Sequence, residues 1–132
     1  MSEKEILVTF GGGVKVDARY KDFTIKTDQP VDEGGENSAP APFDLFLASI
    51  ATCAGYYVVA FCNERKISVE GMSLRMTWNR DPESHLIGRI LVEILLPAGF
   101  PEKYRAAVVR AASKCTVKRQ LTKPAEIAVE AR

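Results

Sequence analysis

Apolar and polar residues divide the chain into segments of two different periods. Residues 5–10 (Glu-Ile-Leu-Val-Thr-Phe), 14–20 (Val-Lys-Val-Asp-Ala-Arg-Tyr) and 23–27 (Phe-Thr-Ile-Lys-Thr) read as strands. The second and third alternate with the two-residue period of a half-buried strand. Gly11-Gly12-Gly13 and Lys21-Asp22 separate them as turns, which predicts an antiparallel meander. The triple glycine has neither the Gly-Lys-Ser/Thr ending of a phosphate-binding loop nor a dinucleotide spacing, so it reads as a hairpin turn. Residues 28–42 follow as a long polar loop holding three of the seven prolines and two of the nine glycines. Loops of that length in small domains are often functional.

From Phe43 to Cys62 the chain is apolar except for Asp44, Ser49, Thr52 and Gly55. A membrane span needs about 20 such residues, and successive strands would need turn signals that are missing. A central helix buried on nearly all sides fits best, with Pro42 suited to its first turn. Ala48, Thr52 and Gly55 form a small-residue stripe along it. Residues 67–79 then alternate, with Met72, Leu74, Met76 and Trp78 on one face. A turn at 80–84 leads to a second strand over 86–96, with Ile87, Ile90, Val92 and Ile94 as core contacts. Pro97 to Pro101 break the sheet, and a second helix is predicted from Pro101 to Lys114, carrying Tyr104, Ala107, Val108 and Ala111 on one face. Leu121 belongs to a short turn or helix, and Ile127, Val129 and Ala131 predict a closing strand. The expected order is β-β-β-α-β-β-α-β, an α+β fold in one domain over residues 1–132. One such chain has too little surface to cover an all-apolar helix, so two copies packing that helix together are expected.

Composition narrows the function. Hydrophobic residues make up 46% and charged residues 27% of the 132 residues, which excludes disordered, collagen-like and coiled-coil chains. Eighteen basic residues against 17 acidic ones leave a formal charge of +1, without the basic excess expected of a nucleic-acid binder. Three cysteines cannot pair completely, and one histidine, His85, offers no zinc set. The polar start, Met1 to Glu5, is no secretory signal, so a reducing cytoplasm is the expected compartment. Cys53 and Cys62 are nine residues apart, about half a turn around a helix, so they point to opposite sides. Cys115 lies beside Lys114, Lys118 and Arg119 and is expected outside the deep core. Free cysteines usually behave as small hydrophobes; a reactive one needs a nearby cation, and Arg19, Lys66, Lys118 and Arg119 are the candidates. His85 reads as solvated, while Trp78, Tyr56 and Tyr57 read as core or dimer contacts, and either tyrosine is also a candidate lining for an apolar substrate pocket.

The run Pro40-Ala41-Pro42-Phe43-Asp44-Leu45-Phe46-Leu47-Ala48-Ser49-Ile50-Ala51-Thr52-Cys53 resembles the motif that starts the central helix of the OsmC/Ohr family, the osmotically inducible protein C and organic hydroperoxide resistance group. Lys114-Cys115-Thr116-Val117 resembles its second motif, and the two cysteines are 62 residues apart, as suits that family. The resemblance implies an intertwined homodimer with antiparallel sheets around two long central helices. It also implies a thiol peroxidase without metal or bound organic cofactor. Cys53 would be the peroxidatic thiolate, Cys115 the resolving thiol that forms a disulfide with it, and a lipoyl or other dithiol the reductant. Two positions depart from the peroxidase pattern: Phe43 stands where those enzymes carry glutamate, and Thr116 where they often carry proline. Both departures resemble a less characterised OsmC-like subgroup. Asp44 is the carboxylate nearest the missing glutamate and is a candidate for the site, as is Arg19 for the activating cation. Two rival functions remain: a non-catalytic OsmC-like protein that binds a small ligand or partner, and a hot-dog-type thioesterase using Asp44.

Overall fold

The computed structural model describes residues 4–132, so Met1–Glu3 of the polar N-terminal start lie outside the described residues. The chain forms two compact units, Met1–Ala48 and Ser49–Arg132.

In the first unit β1 (Leu7–Phe10), β2 (Val16–Tyr20) and β3 (Phe23–Thr27) form the expected antiparallel meander in the order β1-β2-β3. Phe10 pairs with Val16, and Tyr20 with Phe23, so both connections are tight. Gly12 and Gly13 take φ of 94° and 58° in the first turn, a region that suits glycine. The polar loop that follows is ordered by one carboxylate. Asp28 is 1% exposed, and its oxygens accept the backbone N–H groups of Gln29 (2.8 Å), Glu36 (3.2 Å) and Ser38 (3.0 Å) and the Ser38 hydroxyl (2.6 Å). These bonds, led by that from the Ser38 hydroxyl, hold the Asp28 pKa well below the usual carboxylate range. Gly35 completes the fold of the loop, because a Cβ there would overlap the Gln29 carbonyl. Lys15 pairs with Glu36 at 2.6 Å and ties the first hairpin to the loop.

The loop delivers the chain to α1 (Pro42–Glu64), a 23-residue helix that continues into the second unit. Asp44 sits in its first turn and accepts the Ala41 N–H at 3.0 Å, the reach-back half of a capping box. In the second unit β4 (Ser73–Arg80) and β5 (Ile87–Leu95) form an antiparallel hairpin. A 3₁₀ turn, Glu102–Tyr104, opens α2 (Arg105–Ser113), and α3 (Thr116–Thr122) follows. Val58, Phe61 and Cys62 of α1 and Val108 of α2 make the buried core, against which Met72, Leu74 and Ile94 of the hairpin segment pack.

Four expectations change. First, α1 is not buried on nearly all sides. Leu47, Ile50, Ala54, Val58 and Phe61 are buried at helical spacing, while Thr52, Tyr56 and Val59 are exposed, because one chain covers one stripe only. By length and composition α1 could cross a membrane, with 28% of its apolar window buried; its buried stripe serves as core. Second, no closing strand forms among the described residues. Ile127 and Val129 are 87% and 92% exposed, because their alternating segment finds no neighbouring strand, and the element before it is α3. Third, Trp78 is 40% exposed beside a register shift in β4, so of its two expected roles, core or dimer contact, the single chain does not supply the first. Fourth, Cys115 is buried, as the site geometry explains.

The Asp28 cluster yields a stability prediction. A folded-state pKa below the unfolded value, near 3.9, stabilises fully at neutral pH and less as pH falls below about 4, since the unfolded chain then binds more protons. Asp28→Asn is expected to lower the melting temperature at pH 7, with the gap to the parent narrowing in acid. Gly35→Ala, forced against backbone, is expected to cost about 1–3 kcal/mol. Thermal melts at neutral and acid pH check both.

Candidate functional site

Helical periodicity separates the three free cysteines. Cys53 is half-buried in the middle of α1, next to buried Ala54 and so at the margin of the core stripe. Cys62 is fully buried inside the core, and burial pushes its thiol pKa up against the opposing charge of Arg65. Arg65 stacks 3.7 Å from the Phe61 ring centroid and donates to the Phe61 carbonyl at 3.1 Å, so its charge is held on the core side of α1. Arg65 is not among the cations the sequence singles out; the four-residue step from Phe61 to Arg65 was the available signal.

Cys115 occupies the N-cap of α3 in an extended conformation (φ −61°, ψ 144°). Its Sγ accepts the Lys118 N–H at 3.4 Å, and its carbonyl accepts the Arg119 N–H at 3.0 Å. That capping role explains why it is 2% exposed despite three neighbouring cations. The Tyr57 and Thr116 hydroxyls meet at 2.9 Å. Tyr57 lies one helical turn beyond Cys53, about 6 Å along the axis, and Thr116 follows Cys115 directly. One hydrogen bond therefore joins the helical stretch carrying Cys53 to the cap holding Cys115.

The other candidates fall elsewhere. Asp44 is engaged at the helix start, and Arg19 is exposed on β2 opposite Leu7 and Thr24. Lys66, at φ 57°, lies in the turn after α1. His85 is exposed in the β4–β5 turn, as expected. Tyr56 is 64% exposed, and no three His, Cys, Asp or Glu side chains gather to hold a metal among the described residues.

Sequence reasoning did not foresee two recesses along the α1–α2 pair. One, of about 340 Å³, is mostly apolar, lined by Ile50 and Ala54 of α1, Ile90 and Val92 of β5 and Val109 of α2, with Lys118 and Ser113 supplying its polar rim. The other, of about 460 Å³, is lined by Tyr57, Phe61 and Glu64 of α1, by Arg65 just after it, and by Arg110 and Lys114 of α2 and its C-cap.

Residues 35–130 match the family described as OsmC-like protein, and this span includes α1, the β4–β5 hairpin, α2 and α3. The chain belongs to the OsmC-like protein family. Solved OsmC-like structures share its fold. A Psychrobacter arcticus 273-4 protein, named for an osmotic stress induced and detoxification response, is 21% identical with a TM-score of 0.77, over 91% of this chain and 89% of that one. An OsmC like protein from Mycoplasma pneumoniae is 14% identical with a TM-score of 0.71, over 92% and 89%. An organic hydroperoxide resistance protein OsmC from Legionella pneumophila is 21% identical with a TM-score of 0.56, over 93% of each chain. No curated protein matches the chain.

The burial of the OsmC-like chain's thiols makes their accessibility testable. Under native conditions an alkylating reagent is expected to label Cys53 and to spare Cys62 and Cys115, which are 0% and 2% exposed, until denaturant is added. Peptide mass spectrometry of the labelled protein reads the order.

Proposed function

We propose that this OsmC-like protein is a thiol-dependent peroxidase that reduces organic hydroperoxides to alcohols. The observation that carries the reading is the Tyr57–Thr116 bond, which joins the α1 stretch bearing half-buried Cys53 to the cap bearing Cys115. The name of the Legionella protein, an organic hydroperoxide resistance protein, adds support. The Cys53 thiolate attacks one oxygen of the hydroperoxide, the O–O bond breaks, and the alkoxide leaves as alcohol on taking a proton. Cys53 is then a sulfenic acid. The Cys115 thiol attacks its sulfur, water leaves, and a Cys53–Cys115 disulfide forms. A lipoyl group or another dithiol reduces that disulfide and closes the cycle.

Cys62 takes no part, being sealed in the core with a raised pKa. Arg19 stays in the proposal as the candidate activating cation, carried from the sequence alone. Asp44 acts at one remove, by holding the start of the helix that carries Cys53. The acting unit is proposed to be a cytoplasmic homodimer of single-domain subunits. The exposed α1 face with Thr52, Tyr56 and Val59 supports a second copy as its cover.

A second reading, a non-catalytic protein that binds a small ligand, is favoured by the apolar 340 Å³ cavity, which is within the size range of ligand sites. The thioesterase reading has less support, because the Asp44 carboxylate is engaged at the helix N-terminus.

Peroxide consumption with a dithiol reductant decides. Cys53→Ser is expected to reduce consumption to the uncatalysed background. Cys115→Ser is expected to consume a single equivalent of peroxide and stall as a sulfenic acid that a dimedone probe traps. Full activity in Cys53→Ser would overturn the peroxidase reading.

A further inference from the structure

The 460 Å³ groove between α1 and α2 differs in charge from the apolar cavity. Three cations, Arg65, Arg110 and Lys114, line it with one carboxylate, Glu64. Glu64 lies 3.6 Å from Arg65, whereas the side chains of Arg110 and Lys114 have no ion pair among the described residues. The groove thus keeps two uncompensated positive charges. Its wall includes chain neighbours of both cysteines: Lys114 immediately precedes Cys115, and Tyr57, one helical turn beyond Cys53, bonds Thr116.

A hydroperoxide of apolar body has no use for such a charge, but a reductant does. The species that attacks a disulfide is a thiolate, an anion. A positive recess raises the local concentration of anions and lowers the pKa of a thiol brought into it. We propose that the α1–α2 groove seats the reductant of the Cys53–Cys115 disulfide, and that the reductant is a dithiol carrying negative charge beside its thiols. This assignment rests on the peroxidase reading and adds the place and the charge class of the electron donor. One thiolate of the dithiol attacks one Sγ of the protein disulfide, and the other cysteine leaves as a thiolate, which takes up a proton. The second thiol of the donor, on losing its proton, displaces the first cysteine from the mixed disulfide. The donor ends as a cyclic disulfide, two electrons poorer, and both cysteines are restored as thiols.

The test compares two dithiols of the same redox chemistry and different charge: dihydrolipoate, which carries a carboxylate, and dihydrolipoamide, which does not. Peroxide consumption is measured with each as sole reductant. In the parent protein the KM for dihydrolipoate is expected to be lower, and the ratio of the two KM values is expected to collapse by about tenfold in Arg110→Gln/Lys114→Gln, as two surface charge contacts allow. Raised ionic strength should collapse the same ratio in the unmutated protein, a readout independent of any effect of the substitutions on folding. An unchanged ratio in both experiments overturns the groove assignment while leaving the peroxidase reading intact. So does a variant whose KM rises for a carboxylated hydroperoxide and not for dihydrolipoate. Absence of turnover with either dithiol overturns the peroxidase reading and the groove assignment together.

Discussion

One helix must serve as core while one chain can cover only one side of it. α1 is apolar on every face, yet its buried residues are Leu47, Ile50, Ala54, Val58, Phe61 and Cys62. Inside the second unit its Val58, Phe61 and Cys62 are what the β4–β5 hairpin and α2 pack against, through Val108, Leu74 and Ile94. Burying each large side chain there contributes about 1.5–3 kcal/mol, so the stripe is not free to rotate. Its position then sets the chemistry of the thiols. Cys62 is carried inward and its ionisation is suppressed, whereas Cys53, half a turn away, remains at the edge of the packed surface. The packing that makes the core also decides which of these two thiols is buried.

The ends of α1 are held by different means. At its start, Asp44 returns to the Ala41 N–H, and the preceding loop is wound around the Asp28 carboxylate with Gly35 pressed on the Gln29 carbonyl. A carboxylate buried with four hydrogen bonds is satisfied, which is why it can remain charged out of water. At the far end, Arg65 folds back over Phe61 and donates to its carbonyl, supplying a cation where the helix leaves carbonyls unpaired. Neither device touches Cys53, but together they limit fraying of the helix that carries it.

Much of this was legible in the residue pattern, and the failures share a cause. The meander, the long helix and the β4–β5 hairpin follow from local period, and the opposition of Cys53 to Cys62 follows from 100° per residue. Period reports which faces are apolar and not what covers them. Hence α1 read as wholly buried, and Ile127 and Val129 read as a strand for which the chain provides no neighbour. Cys115 failed for a related reason: its cationic neighbours suggested exposure, whereas its sulfur acts as a helix cap and is buried. Asp28 was invisible because a satisfied buried acid and a solvated one look alike in a polar loop. The turn at Gly34, with φ 90°, and Ser38 ten residues on were its only marks.

The helix pair also explains how one small unit can present two kinds of surface. On α2 the residues Val109, Ala112 and Ser113 line the apolar cavity, whereas Ala107, Arg110, Ala111 and Lys114 line the cationic groove. On α1, Ile50 and Ala54 belong to the first and Tyr57, Phe61 and, just after the helix, Arg65 to the second. A nine-residue helix can do this because residues three and four apart share a face, so two neighbouring stripes diverge from one packed line through Val108. A thiol peroxidase must admit two reactants of opposite character in turn, an apolar oxidant and a donor that attacks as an anion. A cycle of that kind gains from separate recesses, since one pocket suited to both would have to bury a charge among aliphatic side chains. In the proposed cycle, Cys53 adjoins the cavity-lining Ala54 in sequence and Cys115 falls between the groove-lining Lys114 and the cavity-lining Lys118, so both recesses are placed next in the chain to the two proposed thiols.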